Sequence, residues 1–151
     1  MTDSIHAALW KWLLQCSAIT KLFFNFSSAK DSDVVISTAG DSLVDDFIDG
    51  SQRRRYAFEL SRYCPITFVQ NDPSNIDMLE DAQAIAEWVE EQNAAGNLPE
   101  LPGGRIAESI ILLDEYAGYA TPVNENTAKY MLPLALDYIK PKGCLELWLK
   151  L

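Results

Sequence analysis

Asn75-Ile-Asp-Met-Leu-Glu-Asp-Ala-Gln-Ala-Ile-Ala-Glu-Trp-Val-Glu-Glu-Gln-Asn-Ala-Ala-Gly-Asn-Leu-Pro-Glu-Leu-Pro-Gly-Gly-Arg105 is the stretch on which the fold turns. Its first two thirds read as an amphipathic helix. Ile76, Leu79, Ala82, Ala86 and Val89 recur at steps of three and four, and Ile85 and Trp88 widen the apolar stripe. Ser74 is the expected N-cap, with Asp77 at a capping-box spacing. Gly96 is placed to end the helix in a left-handed conformation. A proline- and glycine-rich connector, 98–104, then leads into an apolar strand.

Working outward, residues 3–20 form a second amphipathic pattern. Ile5, Ala8, Leu9, Trp12, Leu13, Cys16 and Ile19 share one face, with Asp3 or Ser4 as cap. Residues 22–26 predict a strand or a buried turn. Val34-Val35-Ile36 is a short strand, and Gly40 to Gly50 an acidic loop or short irregular element. In 53–62, Tyr56, Phe58 and Leu60 alternate with Ala57, Glu59 and Ser61, as in a strand with one buried face.

Beyond the connector, 106–113 is a strand with Ile106, Ile110 and Leu112 on one face. Glu115 to Ala120 suits a hairpin turn, and Thr121 to Thr127 a turn-rich loop. Tyr130, Leu132, Leu134, Leu136 and Tyr138 share one face of a long strand at 129–140. Pro133 there predicts an edge strand or a bulge, because proline cannot donate to a ladder. Leu145, Leu147, Leu149 and Leu151 alternate in a last apolar strand or arm, 144–151, following a core of 1–143.

The order is helix, three strands, helix, three strands. It predicts an α+β domain over 1–151, with one mostly antiparallel mixed sheet flanked by two main helices. The formal net charge of −10 disfavours binding to nucleic-acid phosphates or anionic lipid. No apolar run approaches the ~20 residues of a membrane span. The start, Met-Thr-Asp-Ser-Ile-His, lacks the basic residues of a signal peptide, so a cytoplasmic site of synthesis and assembly is expected. Cys16, Cys64 and Cys144 form no CxxC pair, and reduced thiols are expected.

Candidate chemistry is sparse. Gly40-Asp41-Ser42-Leu43 follows a strand and resembles the nucleophile block of the GDSL esterases. A Ser42 nucleophile needs a base. That family carries an Asp-x-x-His near its C-terminus, whereas the one histidine here is His6. Asp41, Asp45, Asp46 and Asp49 lack the alternating oxygen positions of a calcium loop, and a solvated loop is expected. Arg53, Arg54 and Arg55 alternate in direction on a strand, so a polar face or an ion-pairing surface to acidic neighbours is expected in place of a nucleic-acid-reading patch. Glu90 and Glu91 read as the wet side of the helix, and Gly103-Gly104 lacks the lysine of a phosphate loop. No catalytic, metal-binding or cofactor-binding residues are predicted, and no enzyme activity.

The opening stretch also carries a resemblance. Ala86-Glu87-Trp88-Val89-Glu90-Glu91, then Asn93-x-x-Gly96-x-Leu98-Pro99-x-Leu101, a glycine turn, and Ser109-Ile110 resemble the tail terminator (minor capsid) proteins of tailed bacteriophages, mostly from Gram-positive hosts. The strand at 54–60, Gly118-Tyr119 and the strand Lys129 to Leu134 extend the likeness over roughly 53–140. Cys64-Pro65-Ile66-Thr67-Phe68 and the tail from Cys144 depart from the family pattern.

The resemblance implies a six-fold ring that sits on the tail tube in the virion, stops tube polymerisation and presents a surface for head joining. Its partners would be further copies of itself, the tail tube protein and a head–tail connector or neck protein. Genomic DNA would pass the lumen without sequence-specific binding, and no membrane is involved. A neighbouring adaptor ring at the head–tail joint is the alternative within that assembly, and a hydrolase built on Ser42 the alternative outside it.

Overall fold

The computed structural model describes residues 4–68, 73–113 and 120–142. Within these, α1 (Ile5–Leu13), β1 (Lys21–Phe24), β2 (Asp33–Asp46), β3 (Gln52–Pro65), α2 (Ser74–Ala95), β4 (Ile106–Leu112), β5 (Ala120–Pro122) and β6 (Thr127–Lys140) follow in order. The class is α+β: a six-stranded mixed sheet with two helices. The sheet runs β1-β2-β3-β6-β4, with β5 also on β6. β1 lies parallel to β2, and every other pairing is antiparallel.

The alternation expected in β3 and β6 is what builds the core. Tyr56, Phe58 and Leu60 face the helices beside Leu132, Leu134, Leu136 and Tyr138, all buried. Val34, Ile36 and Ile110 flank them, and Leu9, Trp12, Leu13, Ile85 and Val89 close the layer from the helices. The opposite face carries Val35, Ala57, Ser61, Ala135 and Ile111, none of which joins that core.

Several elements differ from expectation for identifiable reasons. α1 stops at Leu13, where three-residue backbone turns replace it: Gln15 N donates to Trp12 O and Cys16 N to Leu13 O. These turns keep Cys16 and Ile19 on the buried side, so the periodicity outlasts the helix. Ser4 caps it, its Oγ accepting from Ala7 N at 3.1 Å. In α2 the N-cap position is Pro73, and no side chain caps the helix. Gly96 does end it left-handed, at φ 74°.

The buried stripe of α2 is Ala82, Ile85 and Val89. Ile76 and Leu79, expected on that stripe, are exposed. The helix enters the core only from its second turn, with half-buried Met78 packing in a small cluster with Cys64, Ala82, Ala128 and Tyr130.

The segment expected as an acidic loop at Gly40 to Gly50 is largely strand. β2 runs on to Asp46, with register shifts at Ala39 and Val44, and only 47–51 turns. This half of β2 is solvent-exposed, so pairing with β3, not burial, defines it, and it carries no apolar alternation. Residues 22–26 resolve to strand β1 followed by exposed Phe26. Thr121 and Pro122, expected as loop, belong to β5.

β6 is not an edge strand. It pairs with β3 along its whole length, and with β4 and β5 on the other side. Pro133 falls between the reach of those two neighbours. Its carbonyl accepts from Leu113 N at 2.9 Å. In a strand the nitrogen of a residue points the same way as its carbonyl, so the missing donor faces this hand-over and spares the β3 ladder. In β4 a register shift at Glu108 flips the parity: Ala107 joins the core with Ile110 and Leu112, while Ile106 is exposed. The expected hairpin at Glu115 to Ala120 lies almost wholly outside the described residues, and the 144–151 strand lies wholly outside them.

The burial pattern predicts a contrast along α2. Ile85→Ala should cost about 2–5 kcal/mol, whereas Ile76→Ala should stay within about 0.5 kcal/mol. Urea denaturation of the two variants measures both; equal losses would contradict the packing of the helix.

Candidate functional site: the charged hairpin and the helix connector

β2 and β3 form a hairpin closed at 47–51, where Phe47 N donates to Ser51 O and Gly50 N to Phe47 O. Asp49 Oδ1 accepts from both Ser51 N, at 2.8 Å, and Ser51 Oγ, at 2.6 Å. These bonds hold the Asp49 carboxyl below its ordinary range.

The three arginines of β3 point alternately, and each finds acids. Arg53 donates to Asp45 of β2 at 2.6 Å and, through a fork, to Glu108 of β4 at 2.7 and 3.3 Å. Its guanidinium also lies 5.3 Å from the Phe47 ring. Arg55 forks onto Asp137 of β6 at 2.8 and 3.0 Å. Arg54, on the helix-bearing face, donates to Asp41 at 3.0 Å. The ion-pairing surface expected from the sequence is therefore present. Hydrogen bonding to these acids raises the affinity of all three arginines for their protons. The register shift at Glu108 is what lets a β4 side chain reach Arg53, two strands away.

On the helix-bearing face a polar cluster ends the core. Tyr138 donates to Asp41 Oδ2 at 2.5 Å, and Tyr56 meets His6 Nδ1 at 2.6 Å. The His6 ring also lies edge-on to Phe24. Burial, then the neighbouring Asp41 carboxylate, push the Tyr138 phenol up to about 12, and the same two causes raise Tyr56.

This geometry separates the parts of the esterase-like block. Asp41 lies opposite Tyr56 and Ser42 opposite Arg55, so the two side chains leave opposite faces. Ser42 shares the outer face with Arg55, while His6 sits on the inner face with Tyr56. The sheet lies between the hydroxyl and the histidine that would have to activate it. Gly40 occupies β2 itself, at φ 135°, with no strand-to-helix turn after it.

No group of three or more His, Cys, Asp or Glu residues poised for a metal occurs among the described residues. No helix there is long and apolar enough to cross a membrane. Burial raises the thiols of Cys16 and Cys64, which disfavours the reactive thiolate.

The connector after α2 is tied down from three sides. Trp12 Nε1 donates to Asn97 O at 2.8 Å, and the Asn97 side chain bonds Gln92 and Gln15. Asn93 Oδ1 accepts from Ile110 N at 3.0 Å, linking the end of α2 to β4. Pro99 is buried, and Leu98 and Leu101 pack on the core. Gly103 and Gly104 both hold left-handed φ, at 72° and 75°, and a Cβ on Gly103 would meet Arg105 Nη1 at 2.8 Å. Between α1 and the connector runs an open groove of about 440 Å³, lined by Ser4, Lys11, Gln15 and residues 97–102 among others.

The acid partners Asp41, Asp45, Glu108 and Asp137 were not singled out by the sequence as partners of Arg53 to Arg55, because pairing across strands depends on register. Only the alternation of the arginines could be read. No protein-family model matches the chain, and no curated protein matches it.

A phenol normally ionises near pH 10. Between about pH 10 and the folded-state value of about 12, the folded chain keeps a proton on Tyr138 that the unfolded chain has released. That contribution to stability is complete below about pH 10 and is lost as the pH rises through about 12. Tyr138→Phe should shrink the alkaline loss of stability, read as urea midpoints at about pH 9 and 11.5. Ser42→Ala should change stability by less than about 0.5 kcal/mol.

Proposed function

We propose that the protein is a structural component of a phage tail, a terminator that caps the tail tube as a hexameric ring and supplies the surface for head joining. The observation that carries this reading is the helix–connector–strand unit from Ala86 to Ile110. Asn93 and Ile110, two of the residues that resemble the tail terminator family there, are bonded to each other and tie the end of the helix to the strand. A part of the chain that fixes the angle between helix and sheet sets the shape offered to a neighbour.

The surroundings agree with a binding role. The sheet has one face away from the helical core and a hairpin projecting at one end, so different surfaces can meet in successive copies. A ring needs such a heterologous contact. The acids of the surface give the chain its charge of −10. Turned towards a lumen, they would repel DNA phosphate and let the genome slide. A ring with neutralised lumen acids that still passed DNA normally would remove that role for the charge.

An adaptor ring at the head–tail joint would share these features, and tail length separates the two. Deleting the gene from the phage or prophage that encodes it should give overlong tails; tails of normal length would refute the terminator assignment. Purified protein mixed with tail tubes should form six-subunit rings at one tube end in micrographs. Leu101→Asp should abolish those rings or the fold, and intact rings with that change would contradict the role given to the connector.

A further inference from the structure

The two edges of the sheet are treated differently. On β4, Ile110 N donates to Asn93 Oδ1 of α2, so a backbone donor that would pair with a further strand is already taken. On β2 the cover ends early. β1 pairs only with Asp33 to Ile36. It leaves that lane at Asn25, whose φ of 66° is left-handed and whose N–H donates to Ile36 O. From Ser37 to Asp46, β2 has β3 on one side and no described strand on the other.

Ladder parity identifies the backbone groups that face the vacant lane. Tyr63 O accepts from Ser32 N, so the odd-numbered residues of β3 turn their backbone groups towards β2. Ser42, opposite Arg55, and Asp45, opposite Arg53, therefore bond β3, while Asp41 and Leu43 present N–H and C=O outward. Leu43 and Val44 are nearly half exposed. Exposed Phe26 follows the point where β1 departs, and exposed Ile48 lies in the turn at the other end. An open edge of this kind is a template for strand addition.

We propose that this lane receives an extended segment of a different protein, in which an apolar residue is flanked two positions away on each side by lysine or arginine. The side chains beside the lane select it. Asp41, Leu43 and Asp46 lie on the helix-bearing face, opposite Tyr56, Arg54 and Gln52. An incoming residue beside Leu43 gains apolar contact, and its neighbours two positions away meet Asp41 and Asp46. Asp46 has no ion-pair partner among the described residues. The charge of −10 on the whole chain adds long-range attraction for a basic segment. A second copy fits less well. Pairing β2 with β2 brings Asp41, Asp45 and Asp46 near the same acids, and like charges across strands are unfavourable. Pairing β2 with β4 meets the donor that Asn93 already occupies.

The proposal does not rest on the tail-terminator reading, and its test needs no tail. The probe is an acetylated, amidated peptide, Thr-Lys-Thr-Val-Thr-Lys-Thr, added to the full chain. Exchange of the Asp41 and Leu43 amides should slow by roughly tenfold or more at saturation. The same peptide with glutamate for lysine, and the lysine peptide with proline for valine, should leave both amides unchanged. In the protein, Leu43→Pro removes an outward donor and no bond to β3. It should abolish the effect on Asp41 while Tyr56 and Leu136 stay protected; the proline peptide covers the case in which this variant fails to fold. Asp46→Lys should weaken the lysine peptide by roughly threefold or more. No slowing by the lysine peptide, or equal slowing by the glutamate peptide, would overturn the proposal. Slow exchange of Asp41 and Leu43 in the protein alone would overturn it too. Independent of concentration, that result assigns the lane to the chain itself; rising with concentration, it assigns the lane to a second copy.

Discussion

The pairing of β6 with β3 is the constraint on which the structure depends. Fourteen register pairs join the two strands, from Gln52 with Lys140 to Pro65 with Thr127. They place two apolar rows side by side, Tyr56-Phe58-Leu60 and Leu132-Leu134-Leu136-Tyr138, and both helices need that surface. Because strand side chains alternate, a slip of one residue would turn all of these side chains outward. The same register sets Arg55 beside Asp137, so the charged outer face and the apolar inner face are fixed by one pairing.

Where burial drives an element, the sequence shows it. The rows in β3 and β6, the buried side of α1 and the left-handed Gly96 are all legible because each demands a particular residue type at a fixed interval. Where pairing alone drives it, the sequence is silent. The outer half of β2 has exposed side chains on both faces and two register shifts, so its residues carry no period. Ile106 shows the same limit: one extra residue at Glu108 reverses the parity, and nothing local announces it. Pro133 misleads for a different reason. A proline excludes a donor on one side of a strand, and here that side faces the hand-over between β4 and β5.

The candidate site was legible to a smaller degree. Alternating Arg53, Arg54 and Arg55 predicted ion pairs, but their partners come from β2, β4 and β6, at separations up to 82 residues. The block around Ser42 looked chemical because a motif has no face, and the sheet gives it two. The connector kept its importance and gained a mechanism: Asn93, Asn97 and buried Pro99 hold the turn between α2 and β4 in one shape.

The topology also has a consequence for synthesis. β6 comes after every other described strand, yet it sits inside the sheet between β3 and β4. Tyr56 and its partner Leu136 are about 80 positions apart. At ~5–20 residues per second, the nascent β2–β3 hairpin waits on the order of ten seconds before its neighbour emerges. During that interval the inner face of β3 and one of its edges are open to any other strand in reach. Yield in cells should therefore respond to the speed of translation between α2 and β6, and to chaperones that hold strands apart, more than the stability of the finished sheet would imply.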